Sequence, residues 1–122
     1  KSGRNIVFHK RLNHKDLSQL LKTMDLHFLP SRSEGFPKVI LETAAASIPS
    51  IVYQDYGASE WISSYENGFV VNEFKEVKDV INKMIDNPLI LHQNSEGALD
   101  LANRFDWKIV IKKWEQVLSN LR

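Results

Sequence analysis

The sequence contains no cysteine. That excludes a disulfide framework and any cysteine-based metal site, and it suits a reducing, cytosolic setting. An excess of charge of one sign is also missing. Basic and acidic residues intermix to a formal net charge of +1, without the clustered Lys/Arg surface that marks a nucleic-acid binder. No apolar run approaches the roughly 18 residues of a membrane span. The opening KSGRN is followed by no apolar core and does not read as a signal peptide. Lys10, Arg11 and Lys15 make a mildly basic patch. It reads as a solvated face, with contact to an anionic membrane as the alternative.

Familiar chemical motifs are absent too. The chain has neither a G-x-x-x-x-G-K-[ST] phosphate loop nor a G-x-G-x-x-G fingerprint. No two aspartates stand two apart, so an Asp-x-Asp metal clamp is missing. His9, His14, His27 and His92 show no ligand spacing, and no metal site is expected. A G-x-S-x-G nucleophile elbow does not occur.

What is there is one domain's worth of chain, 122 residues with 43% hydrophobic and 25% charged content, enough to bury a core without staples. Asn5–Phe8 is a short β-prone run, and Leu17, Leu20, Leu21 and Met24 then recur at helical spacing. DLHFLP returns to strand character. PKVILETAAAS reads as a helix with Pro37 in its first turn, ended by Ile48-Pro49. SIVYQ and GFVVN read as strands, and ASEWISSY between them as a short helix. Three helices follow. The first carries Val77, Val80, Ile81, Met84 and Ile85 on one stripe; the second starts at Asn87-Pro88. The third is capped by Asp106 and bears Trp107, Val110, Ile111, Trp114, Val117, Leu118 and Leu121 on one face. Short apolar strands alternating with helices predict an α/β fold with a Rossmann-like parallel sheet, flanking helices and an all-helical tail. In such sheets ligands bind beyond the carboxyl ends of the strands, here the loops after Phe8, Leu29, Tyr53 and Val71.

The loop after Leu29 holds the strongest constellation, Ser31-Arg32-Ser33-Glu34-Gly35-Phe36-Pro37-Lys38 leading to Glu42. Gly35 lets the backbone approach a ligand, and the free amides and dipole of the helix start favour an anion. The Glu42 side chain leans back toward the same mouth. Two carboxylates on one loop-helix unit can frame a polyol. Glu34 also reads as a plain loop acid or part of the helix cap, and Glu42 as a solvated position. Because Val39–Leu41 and Ala44–Ala46 flank Glu42, however, little polar face is expected around it, and a buried carboxylate needs a partner or water.

FLPSRSEGFPKVILETAAASIPSIVYQDYGASEWISSYENGFVV resembles the donor-site half of a retaining GT-B glycosyltransferase of the nucleotide-sugar-using group. That group shows P-S-x-x-E-G-F-P-x-x-x-x-E-A-x-A, then G-x-P, a segment like G-G-x-x-E, and N-G-x-x-V. The resemblance runs from about Asn5 to Leu121 and includes ANRFDW, similar to the family's R-F-[ST]-W. It implies that Glu34 is catalytic, holding hydroxyls of a transferring hexose, and that Glu42 binds the ribose of the nucleotide. Gly35, Phe36, Pro37 and Lys38 would lie where loop and helix amides meet the sugar or diphosphate, and the backbone of His9, Arg11 and Leu12 would lie beside the base. It further implies transfer with retention, the leaving diphosphate deprotonating the acceptor, and no metal or other cofactor besides the nucleotide-sugar substrate. The acceptor would be a growing glycan or lipid-linked sugar, as in polysaccharide biosynthesis. The protein would be cytoplasmic, with peripheral membrane attachment of the full-length form as a variant. The alternative is a non-catalytic sugar-nucleotide-binding or scaffolding module.

The sequence also departs from the family. His9 stands where glycine is usual, Ser47-Ile48-Pro49 replaces Gly-x-Pro, and Tyr56-Gly57-Ala58 stands where two adjacent glycines are usual. Residues 1–122 are expected to form a single partial donor-binding domain, without the acceptor-binding N-terminal domain and the first donor-domain strands. The Arg and Lys that neutralise the diphosphate would lie in that missing part, leaving the fragment inactive alone. Arg32 and Lys38 are the available substitutes, although Arg32 reads better as a loop residue. With the intervening strands absent, Asn5–Phe8 has three options: pair directly with the next strand, swap with another copy, or leave apolar edges bare. Self-association or a rearranged edge is the expectation.

Overall fold

The structure is a computed structural model that describes residues 5–121. Helix α1 (His14–Leu21) precedes strand β1 (His27–Leu29), helix α2 (Lys38–Ala45) and strand β2 (Ser50–Tyr53). Strand β3 (Phe69–Val71) and helices α3 (Phe74–Asp86), α4 (Pro88–Arg104) and α5 (Trp107–Ser119) complete the chain. The strands form a parallel sheet in the order β1-β2-β3, with Leu29 beside Val52 and Tyr53 beside Val71. The α/β class and the helical tail therefore match the sequence pattern.

Strand β2 is buried along its whole length because both faces of the sheet are covered. Its side chains alternate, as the two-residue period of a strand requires. Ile51 and Tyr53 join Phe69, Val71, Val77, Val80 and Met84 under α3. Val52 points the other way, into Ile40, Ala58, Ile62 and Leu101 under α2 and α4. A polar link crosses from β1 to α2: His27 Nδ1 and Ser50 Oγ share a hydrogen bond at 2.9 Å, and Ser50 Oγ lies 3.2 Å from Thr43 Oγ1.

Local chemistry sets the helix boundaries. Asn13, Asn87 and Asp106 each accept a backbone N–H from the first turn of α1, α4 and α5. Glu76 Oε2 accepts from the N–H groups of Asn72 and Glu73, closing the start of α3. Helix α2 ends in a Schellman motif: Ile48 N–H donates to Thr43 O, Ser47 N–H to Ala44 O, and Ser47 takes φ 62°. Pro37 sits one position earlier than expected. It is the N-cap of α2, with extended ψ of 105°.

Three expectations fail. Asn5–Phe8 is not a strand, and its apolar side chains are bare, Phe8 being 92% exposed. β-propensity measures fit to a pleated, half-buried surface, and β1 pairs only with β2, so this segment has no ladder to join. Within this single chain, direct pairing of the segment with β1 does not occur. The segment Ala58–Tyr65 forms only a single 3₁₀ turn, Ala58–Glu60. Beyond it, Asn67 Oδ1 takes the Ser63 N–H at 2.8 Å and Tyr65 adopts φ 67°, side-chain and backbone choices that compete with a helix. Finally, α1 stops at Leu21, which leaves Met24 exposed. The α5 stripe exists, yet none of its residues is buried.

Candidate functional site

Because the strands are parallel, the segments after Leu29, Tyr53 and Val71 gather along one edge of the sheet. The 30–37 segment has no regular structure and hands over to α2 at Pro37. No side chain caps α2; of its first-turn amides, that of Ile40 donates to the Pro37 carbonyl at 3.1 Å.

Glu34 is half-buried on that segment. It lies near Tyr56, whose hydroxyl is buried without a partner. Burial, then the negative charge of Glu34 and of Asp55, pushes the Tyr56 pKa up. Gly35 has open space where a Cβ would stand, so packing does not demand glycine here. Phe36 is wedged between two rings, with centroids 4.9 Å from Trp61 and 5.2 Å from Phe105.

Glu42 is exposed, and the expected burial among its apolar sequence neighbours does not materialise. Sequence neighbours of a helical residue need not share its face. Ile40, Thr43 and Ala44 turn into the core, while Lys38 and Glu42, four apart, share the outer face. That face borders a groove of about 750 Å³ lined by His14, Phe36, Lys38, Leu41, Glu42, Phe105, Trp107 and Val110. On its other side Glu42, again with His14, borders a second groove of about 450 Å³ between α1 and α2.

The structure thus brings Phe36, Lys38 and Glu42 together on one groove, with Pro37 at its helix start. Glu34 faces the Tyr56 side instead. His9 and Arg11 are exposed and Leu12 is half-buried, on the extended segment that leads into α1. His14, Phe105 and Trp107 were not singled out as site residues by the sequence reading. RFDW carried the family likeness, but its spacing gave no sign that it lies against α2.

Arg32 is not a free cation. Its Nη1 donates to Asp55 Oδ1 and its Nη2 to Asn72 O, both at 2.9 Å, and its Cζ lies 3.9 Å from the Tyr53 ring centroid. Lys38, in contrast, is exposed and has no ion pair among the described residues.

The sequence model of the family described as glycosyl transferases group 1 matches residues 1–100. The chain belongs to that family. Its similarity extends to an exopolysaccharide phosphotransferase of Streptomyces coelicolor, 31% identical over 79% of this chain and 11% of the relative. The capsular polysaccharide biosynthesis glycosyltransferase CapM of Staphylococcus aureus is 27% identical over 94% of this chain and 30% of its own. Among solved structures, Anabaena HepE in complex with UDP-glucose superposes with a TM-score of 0.73 at 28% identity. That match covers 86% of this chain and 30% of HepE. The group 1 chain thus has the Rossmann-like fold of GT-B C-terminal domains. It spans about a third or less of the length of these relatives.

Proposed function

We propose that this chain is the donor-binding part of a retaining glycosyltransferase. The protein would transfer a hexose-type sugar from a nucleotide sugar to a growing glycan or lipid-linked sugar. The observation that carries this reading is the loop-helix unit at the carboxyl edge of a parallel sheet, which sets Phe36, Lys38 and Glu42 on one open groove, with Glu34 on the same loop toward Tyr56. Its likeness to HepE, which is in complex with UDP-glucose, supports a nucleotide sugar as ligand.

In this reading Glu34 accepts hydrogen bonds from donor-sugar hydroxyls and is the catalytic carboxylate by positioning and electrostatics. Gly35 presents open backbone to the sugar. Phe36, Pro37 and Lys38 form the helix entrance, where amides and the Lys38 ammonium meet the diphosphate. Glu42 accepts from the ribose hydroxyls, and its exposure on the groove leaves it accessible for that role. The backbone of His9, Arg11 and Leu12 flanks the base. Retention follows from front-face displacement, in which the bond to the leaving diphosphate breaks and that diphosphate takes the acceptor proton. Arg32 is occupied by Asp55 and Asn72. The diphosphate cations beyond Lys38 would therefore come from the part of the relatives' length this chain does not span, and this stretch alone would be inactive. The reading calls for no metal and no cofactor other than the donor.

The test is nucleoside diphosphate release by the full-length protein from UDP-glucose, UDP-N-acetylglucosamine, ADP-glucose and GDP-mannose, with and without EDTA. One donor should stand out and be insensitive to EDTA. Glu34→Gln should lower kcat by about 100-fold, on the scale of a lost transition-state hydrogen bond. Glu42→Ala should mainly raise the donor KM. Full activity in Glu34→Gln would refute the catalytic role. Nucleotide binding without transfer would favour the non-catalytic module instead.

A further inference from the structure

Arg32 joins three loops that the sequence leaves far apart. It stands on the segment after β1. Its guanidinium donates at 2.9 Å to Asp55 after β2 and at 2.9 Å to the Asn72 carbonyl after β3. Its flat face stacks on Tyr53, the last residue of β2. Among the described residues, the side-chain hydrogen bonds that tie segment 30–37 to other loops both come from Arg32.

Segment 30–37 is otherwise held toward its ends, where Pro30 and Pro37 restrict the backbone and Phe36 packs between the Trp61 and Phe105 rings. Between the prolines Glu34 follows Arg32 by two residues, and Gly35 has open space on its Cβ side. The Glu34 backbone therefore hangs between two anchors, the Arg32 hydrogen bonds two residues before it and the Phe36 ring packing two residues after it. Among the described residues, only Arg32 ties it by side-chain hydrogen bonds to the loops after β2 and β3.

We propose that Arg32, anchored by Asp55, the Asn72 carbonyl and the Tyr53 ring, is the positioning residue that fixes Glu34 for sugar transfer. The proposal rests on the reading of Glu34 given above. As a stabiliser the Arg32–Asp55 pair is unimportant, because its side chains are 51% and 39% exposed and water screens such pairs. As a positioning device it is strong, because a displacement of about 1 Å at a reacting group costs on the order of 100-fold in rate. The geometry also demands arginine. A lysine ammonium keeps the charge but cannot donate along both directions of the fork while stacking on a ring.

The experiment uses the full-length protein and UDP-glucose, or whichever donor of the panel turns over fastest. Wild type, Arg32→Lys, Asp55→Asn, Glu34→Gln and the Arg32→Lys/Glu34→Gln double variant are compared for kcat, donor KM and melting temperature. Arg32→Lys should lower kcat by about 10- to 100-fold with donor KM little changed. Asp55→Asn, which is nearly isosteric and guards against loss of fold in the lysine variant, should lower kcat in the same sense. The melting temperatures should stay within about 2 °C of wild type, as expected for an exposed pair. The double variant should be no slower than Glu34→Gln alone, since Arg32 acts through Glu34. A wild-type kcat in Arg32→Lys overturns the proposal. So does a double variant slowed by the product of the two single effects, or a lysine variant whose loss lies in donor KM. Full activity in Glu34→Gln fails the underlying reading instead, and is distinguished by that single variant.

Discussion

Gly97 of α4 crosses the Glu66 carbonyl so closely that a Cβ on residue 97 would overlap that oxygen. Here the turn before β3 is pressed onto the helix, and Asn94, one turn earlier and fully buried, accepts the Gly68 N–H at 3.1 Å. Gly97→Ala would gain about 1 kcal/mol of helix propensity. It would lose more by pushing on backbone that cannot swing aside, as overpacked sites lose about 1–3 kcal/mol or more. The sterics win, and a net destabilisation of about 2 kcal/mol is expected. Urea unfolding followed by circular dichroism measures it; an unchanged midpoint would show that the turn gives way.

Ser47 is the converse case. It closes α2 at φ 62°, a conformation that costs a residue with a Cβ about 1–2 kcal/mol. Glycine adopts it freely but has a more mobile unfolded chain, which returns about 0.5–1 kcal/mol of that gain. Ser47→Gly should therefore stabilise the fold by about 0.5–1 kcal/mol. A lower denaturation midpoint in the glycine variant would contradict this.

His27 makes stability depend on pH. Burial lowers its pKa below the ordinary 6.5, so the unfolded chain binds a proton at pH values where the folded one does not. Stability from this group is fully present above about pH 6.5 and is lost as pH falls through the lower folded-state value. The melting temperature of the wild-type chain should drop from pH 7 to pH 5 more steeply than that of His27→Gln. Equal slopes would mean that the imidazole is as easily protonated folded as unfolded.

The apolar face of α5 is open, with Trp107, Ile111, Trp114, Val117, Leu118 and Leu121 all exposed. Contiguous exposed apolar surface of this kind drives association. The stretch should self-associate as concentration rises in sedimentation velocity, and Trp114→Glu with Leu118→Glu should remove that behaviour while leaving thermal stability within about 0.5 kcal/mol. A large loss of stability would show that the face packs on the body of the fold.

How legible was this fold? Strand β2 was readable because a strand covered on both faces must be apolar at every position, as Ser50–Tyr53 nearly is. Asn87 and Asp106 were readable because capping is local, with the helix amide that needs an acceptor only two residues away. Asn5–Phe8 misled because a β-prone run records what would fit a sheet, whereas a strand exists only beside a partner. Glu42 is misleading for a geometric reason, since residues adjacent in a helix sequence point to different faces. Arg32 was beyond reach of spacing arguments, because its hydrogen-bond partners lie 23 and 40 residues on.

The tryptophans carry a practical consequence. Two of the three, Trp107 and Trp114, lie exposed on α5, and the third, Trp61, rests against Phe36. The sheet and the α3 side of the core contain none. Intrinsic tryptophan fluorescence will therefore report α5 and, through Trp61, the Val52 side of the core under α2 and α4, and will be least sensitive to the α3 side. A blue shift of the emission becomes a direct optical signal that something has covered the last helix.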